Sequence, residues 1–356
     1  MRKPALRIGI IGTDLGRTMH IPGLQMLPQV AVVAVCTSEA DQAHAVALRH
    51  HVPQYFDDHR QMIRKAELDA VVIAGPPAIH HSVGIAAAEL GLHILCEKPM
   101  ARNAAEARDM LRLVKEVGIH HAVNFRARFT PARARIKTLV EQDYLGQLQS
   151  VSITVYRTPL AERRIQPPGL SDDCERTVGA LHAIGSDYVD SLRWWFGDIH
   201  AVAGITTAGS HASKGADPNS ANFAIILEFA GGATGSIHVS ATSPVHLGEE
   251  IVAIGTDGIL ALQADGRLFG TRRADQQITE LPVEDAARGV LGSAHPRLRP
   301  FLLLAGDWVS EILTGQRGIA PSFEDGMKVQ EVVDAVERSR HLSRWIDTSG
   351  KRWPVQ

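Results

Sequence analysis

Residues Leu6 to His20 read LRIGIIGTDLGRTMH, and this stretch decides the fold. Leu6, Ile8, Ile10 and Ile11, with Gly9 among them, form the short apolar run of a buried parallel strand. The run stops at Gly12, and a glycine-spaced turn leads into a segment predicted helical as far as Pro22. Strand, tight turn and helix in that order are the opening of a dinucleotide-binding βαβ unit. There the helix N-terminus offers unpaired N–H groups and partial positive charge to a pyrophosphate. Gly12, Thr13, Asp14 and Leu15 are the candidate contacts. The glycine fingerprint is altered. Counting from Gly12, the second glycine place holds Asp14 and the third holds Arg17, while Gly16 falls one place early. The competing reading is a plain strand-to-helix turn capped by Asp14. If a pyrophosphate does dock here, the Asp14 carboxylate competes with it for donors.

The pattern continues outward from this turn. Val30 to Cys36 is a second apolar run, followed by Thr37-Ser38-Glu39 and an alanine-rich helix to about Arg49. In such a unit the end of the second strand meets the adenosine ribose, where an acid favours NAD and small residues leave room for a 2′-phosphate. Thr37 and Ser38 occupy that place, with Glu39 late, so the reading inclines to NADP over NAD. Ser38 also suits a helix cap. A helix over 58–65 comes next, then a strand 69–74 ending in Gly75-Pro76-Pro77, a helix 78–90 and a strand 93–96. After Glu97-Lys98-Pro99-Met100 come a helix 104–117 and a strand 120–124. Alternation of this kind predicts a doubly wound parallel sheet, whose ligands bind outside the carboxyl ends of its strands. Five loops converge there, carrying Gly12, Thr37, Gly75, Glu97 and Arg126.

DAVVIAGPPAIHH and GLHILCEKPMARNAAEA resemble the signature loops of the Gfo/Idh/MocA oxidoreductases, and the opening strand, turn and helix resembles theirs as well. The likeness runs along the whole chain, including PSFEDGMKVQEVVDAVERS. It implies that Lys98 sits beside nicotinamide and substrate and assists proton transfer, with Pro99 fixing its loop, and that His80 lies near the cofactor. With Gly75, Pro76 and Glu97 on the same loops, these complete the cofactor set. A lysine in a half-closed cleft can donate to a substrate oxygen, whereas a lone loop lysine is ordinarily just solvated.

From Gln149 the period changes to two. Val151, Ile153 and Val155 alternate with Ser152, Thr154 and Tyr156, and similar strands recur over 201–207, 221–229, 233–240, 249–255 and 258–263. They predict an open, mostly antiparallel sheet. Helices are expected over 184–196, 300–313 and 323–340, on one face. The other face is left for an oligomer partner, and the resemblance implies a homodimer or homotetramer formed through it. The expected division is a Rossmann domain over 1–123 and a substrate-binding, oligomerising domain over 124–356. Arg157 to Asp173 reads as a loop over the cleft and Ala208 to Asn219 as a surface loop. Arg133, Arg135 and Lys137 read as a solvated helix face. Arg126, Arg128 and Tyr156 are candidate substrate contacts.

The resemblance places an Asp and a His four residues apart, straddling Gly185, at the start of the helix over 184–196. Here those places hold Ala183 and Asp187, and His182 stands next to them. Five residues apart, His182 and Asp187 do not share a face of a regular helix. Catalytic candidates are therefore Lys98, Asp187 and His182.

Composition narrows the function classes. With 356 residues, two domains are the prior. Basic side chains number 37 against 39 acidic, which argues against a nucleic-acid or membrane-surface binder. Cys36, Cys96 and Cys174 are too scattered for a disulfide framework or zinc site, and no metal is expected from 17 dispersed histidines. No secretory or membrane-spanning stretch is visible, so a cytoplasmic protein is expected. Two functional readings follow. One is an NAD(P)-dependent oxidoreductase of a sugar, polyol or related hydroxy or carbonyl compound. The other is a relative that binds or regulates, or performs non-redox elimination or cyclisation.

Overall fold

The computed structural model describes residues 5–12, 15–158, 179–207, 221–275, 277–285 and 295–348. Thr13, Asp14, Cys174, most of the loop expected over the cleft and the loop 208–219 lie outside them. Of the described residues, 5–129 and 295–330 form one compact unit, and 130–285 with 331–348 form the other.

In the first unit, β1 (Leu6–Ile11), β2 (Val30–Cys36), β3 (Gln54–Phe56), β4 (Ala70–Ile73), β5 (His93–Cys96) and β6 (His121–Val123) make one sheet in the order β3-β2-β1-β4-β5-β6. Every pairing is parallel. This is the Rossmann order, with its switch point between β1 and β4. Apolar runs buried on both faces explain β1, β4 and β5. The edge strand β3 has only three residues, two of them exposed, and so carries no such pattern.

Helices α1 (Ile21–Gln25), α2 (Ala40–His50), α3 (His59–Lys65), α4 (Pro77–Glu89) and α5 (Ala104–Val117) connect the strands. Their ends are chemically marked. The Asp58 carboxylate accepts from the Arg60 N–H at the start of α3, the Asn103 side chain accepts from the Glu106 N–H, and left-handed Gly118 closes α5. Pro22 does not end its helix. A single π turn, Gly16–His20, precedes it, with the Ile21 N–H donating five residues back to the Gly16 carbonyl. That widened turn lies where a proline ring would crowd a regular helix. The helix Arg299–Thr314 returns to this unit and puts Phe301, Leu304 and Trp308 into the same core as Ile8, Ile10 and Val35.

The second unit is built on nine strands, in the order β14-β13-β12-β11-β7-β10-β9-β8-β15. They are β7 (Leu148–Tyr156), β8 (Ile199–Thr207), β9 (Asn222–Phe229), β10 (Thr234–Ser240), β11 (Gly248–Gly255), β12 (Gly258–Leu262), β13 (Leu268–Arg272), β14 (Thr279–Leu281) and β15 (Ile346–Asp347). Pairing is antiparallel except between β7 and β10. Val151, Ile153 and Val155 are buried, as the alternation predicts. The helix α6 (Pro131–Glu141) precedes the sheet, and α7 (Ser186–Phe196) interrupts it. Gly185, at the head of α7, lies so close to Phe223 of β9 that a Cβ would sit 3.0 Å from its ring. Ile184, Tyr188, Leu192 and Trp195 form the buried stripe.

The solvated face expected on α6 is corrected at Arg133, which is buried. Its guanidinium donates to Ser191 Oγ at 2.6 Å and to Glu249 Oε2 at 2.7 Å, and lies 4.7 Å from the centre of the Tyr188 ring. Charge–charge attraction to a carboxylate more than a hundred positions away outweighs the local pattern. Lys137, half-buried, donates to the Trp194 carbonyl.

Candidate functional site

At the switch point, two backbone segments touch. Gly12 has φ +101°, and a Cβ on it would lie 2.3 Å from the Gly75 nitrogen and 2.4 Å from the Ala74 carbonyl carbon. Only glycine fits on either count. Gly16 is buried at ordinary contact distance, 3.4 Å for an added Cβ, from Ile10 of β1. It thus fills the helix-to-strand packing role of the fingerprint's last glycine. The π turn is wide by one residue, and Gly16 is early by one. These residues fit a dinucleotide at this edge.

The carboxyl end of β5 carries Glu97 and Lys98, joined to Pro99 by a cis peptide. Glu97 is buried, and it is held by donors on both oxygens. His20 Nε2 lies 2.9 Å and Asn124 Nδ2 2.6 Å from Oε1, and the Lys98 N–H donates to Oε2 at 3.1 Å. Burial pushes the Glu97 carboxyl up, but hydrogen bonds from His20 and Asn124, with the charges of His20 and Arg126, hold it at about 2. His20 is itself buried edge-on against Phe301, 4.8 Å between ring centres. Lys98 is half-buried at the edge of this frame.

Of the other predicted residues, Gly75 and Thr37 lie half-buried at their strand ends, with Pro76 and Ser38 exposed. Thr37 Oγ1 donates to Gln42. His80 is wholly buried in α4, with one ring nitrogen against each of two backbone carbonyls. Arg126 and Arg128 part company. Arg126 remains partly exposed, whereas Arg128 is buried and donates to Asp325 at 2.9 Å. Asp325 also accepts from the Ser322 N–H, while the Ser322 hydroxyl accepts from the Asp325 N–H, a reciprocal cap on the helix Phe323–Leu342. Burial raises the Asp325 carboxyl, but Arg128 and Ser322 hold it at about 2.

In the second unit, His182 and Asp187 are both half-buried. Residues Leu181–Gly185 form a second π turn, with the Ser186 N–H donating five residues back to Leu181. His182 and Asp187 lie five residues apart across this turn. His182 Nε2 is 2.8 Å from Glu337. Tyr156 belongs to the opposite face of the sheet, edge-on to His238. It is not brought together with that pair.

Sequence reasoning missed His20 and Asn124 as the partners of Glu97. Asn124 closes the strand expected over 120–124, a place at the sheet's carboxyl edge that marks it. Nothing local marks His20.

Residues 6–125 match the oxidoreductase family with an NAD-binding Rossmann fold, and residues 134–261 match the GFO/IDH/MocA C-terminal domain. The chain belongs to the Gfo/Idh/MocA family. Among its relatives in that family, an uncharacterised oxidoreductase of Synechocystis is 26% identical, covering 97% of this chain and 96% of its own. The levoglucosan dehydrogenase of Pseudarthrobacter phenanthrenivorans is 28% identical, over 96% and 98%. An oxidoreductase from Agrobacterium radiobacter, solved with NAD+, L-tartaric acid and magnesium, superposes with a TM-score of 0.83 at 19% identity, covering 97% of this chain and 98% of that one. Family membership makes this chain an NAD-binding oxidoreductase. Among the described residues, no His, Cys, Asp and Glu group could hold a metal ion, and no helix is long and apolar enough to cross a membrane.

Proposed function

We propose that the chain is an NAD(P)-dependent dehydrogenase or reductase of a sugar, polyol or related hydroxy or carbonyl compound, with Lys98 handling the proton. The observation carrying this reading is the Lys98 loop. Its lysine stands half-buried at a strand end, while buried Glu97 holds the Lys98 backbone N–H. Gly12, Thr13, Asp14, Leu15, Thr37, Ser38, Gly75 and Pro76 would hold the dinucleotide. When bound, it supplies or accepts the hydride. Lys98 then donates a proton to the oxygen of a carbonyl undergoing reduction, or removes the proton of a hydroxyl undergoing oxidation. Arg126 would bind substrate. Asp187 and His182 enter by the resemblance of their helix, and not by measured proximity to Lys98.

The carbohydrate-like substrate is supported by the relative named levoglucosan dehydrogenase. Thr37 and Ser38 put no carboxylate at the end of β2, which favours NADP; solved relatives carry NADH or NAD+, so both cofactors belong in the test. Self-association into a homodimer or homotetramer is proposed through the open face of the second unit's sheet, where Ile205 and Ile226 are 61% and 51% exposed. In the cell we place the protein in the cytoplasm.

Nicotinamide fluorescence on mixing with NADPH or NADH tests binding, and absorbance of reduced nicotinamide over a panel of sugars and polyols tests turnover. Binding plus turnover that Lys98→Ala abolishes supports the reading. No binding refutes it. Binding without turnover on any compound favours the binding, regulatory or non-redox alternative.

A further inference from the structure

We infer that His80 is a positioning residue for Lys98 and makes no contact with the cofactor. Its ring is 0% exposed. Nε2 lies 2.8 Å from the carbonyl of Gly75, and Nδ1 lies 3.0 Å from the carbonyl of Pro99. Both nitrogens are thus taken by backbone oxygens, and a ribose hydroxyl or nicotinamide amide finds no ring edge to bond. The two carbonyls belong to different loops, one at the end of β4 and one following β5. A single buried side chain therefore stands between the two loops, within hydrogen-bond distance of both.

Carbonyl oxygens only accept, and an imidazole carries one donor when neutral and two when charged. Burial works against the charged ring, while the two carbonyls and Glu97 work for it. In either form at least one loop is held by a donated hydrogen bond. With a proton on Nδ1 the Lys98 backbone is fixed from both sides. Glu97 Oε2 takes its N–H, and His80 takes the carbonyl of the next residue. Between these anchors only the lysine side chain is left to move, as a group that must meet a reacting oxygen requires.

The inference rests on the proposed role of Lys98, so one readout must need no turnover. Amine-reactive labelling of Lys98 across a pH series, read by peptide mass spectrometry, supplies it. It is run beside kcat, KM and dinucleotide Kd for His80→Ala, His80→Asn and His80→Gln. An Asn amide can reach the Nδ1 place and a Gln amide the Nε2 place. His80→Ala is expected to lower kcat by about tenfold to a hundredfold, as misplacement of a reacting group does. Dinucleotide Kd, to which His80 is linked through the Gly75 carbonyl, should change by a smaller factor than kcat. The Lys98 labelling midpoint should move, and His80→Asn should restore both it and kcat better than His80→Gln. If His80→Ala does not fold, the contrast between Asn and Gln decides. A weakened Kd with kcat and labelling unchanged would make His80 a cofactor contact and overturn the inference. Equal or reversed behaviour of the Asn and Gln variants would overturn it too. A parent protein without turnover counts against the proposed function alone, because labelling still reports on His80.

Discussion

Glu97→Gln tests the frame beneath Lys98 most directly. The carboxylate is an acceptor for three donors, His20 Nε2, Asn124 Nδ2 and the Lys98 N–H. A glutamine oxygen can still serve the two that share Oε1. Its NH2 would then face the Lys98 N–H, donor against donor, inside a buried site. The Glu97 carboxyl is held at about 2 against an ordinary 4.5. At about 1.4 kcal/mol per pKa unit, that difference is on the order of 3 kcal/mol of stability. For a unit of this size, it corresponds to a Tm lowered by roughly 6–12 °C. The sign follows from the depressed value. Between its folded and unfolded pKa the native state binds fewer protons, so the contribution is whole above pH 4.5 and disappears as pH falls through about 2. Urea unfolding of parent and variant, measured from pH 7 down to about 3, should show a gap that narrows by about half. A gap under about 1 kcal/mol at pH 7, or one that does not change with pH, would refute the reasoning.

Lys98→Ala should cut kcat/KM by about two to four orders of magnitude with dinucleotide Kd nearly unchanged, and wild-type kcat would remove Lys98 from the proton step. Asp187→Asn should lower kcat and reshape the pH–rate curve; superimposable curves would leave His182 as the candidate on that helix. Arg133→Met removes the cation beside half-buried Glu249 and leaves it the Tyr188 hydroxyl as donor, so it should cost about 1–3 kcal/mol in urea unfolding, with a further Glu249→Gln recovering part of it. Gly12→Ala must place a Cβ against Gly75 at positive φ, so dinucleotide affinity should fall and stability should drop by about 1–3 kcal/mol or more, read by titration and melting.

The Rossmann half was legible because β1, β4 and β5 are buried on both faces, and apolar runs such as VAVVAVC or AVVI can be little else between turn residues. The edge strand Gln54–Phe56 was not, since an exposed three-residue strand owes its existence to Val35 and Cys36 beside it. The place of Lys98 after a strand was legible, and its role was implied by the resemblance alone. What holds it was not legible: His80 bonds to backbone carbonyls, which no side-chain pattern records, and His20 meets Glu97 across 77 positions. Arg133 failed for the same reason, its partner Glu249 being 116 positions away. The π turns at Gly16–His20 and Leu181–Gly185 differ from a regular helix by one residue. Their apolar spacing is too short to show it.

The helix Arg299–Thr314 also bears on how the chain reaches its native state. Phe301 and Trp308 are fully buried in the core of Ile8 and Ile10, and an added Cβ on Gly23 would lie 2.7 Å from the Phe301 ring. The ribosome releases β1 first and this helix some 290 residues later. At about 5–20 residues per second, the nascent sheet waits roughly 15–60 s for its missing wall. During that interval its apolar edge is open, and the closing contacts are among the most distant the chain makes, which slows their formation. A fragment ending at Phe129 is for this reason an unfinished fold and should need a chaperone or fusion partner to stay in solution. The nucleotide-binding half is first to be made and among the last to be complete.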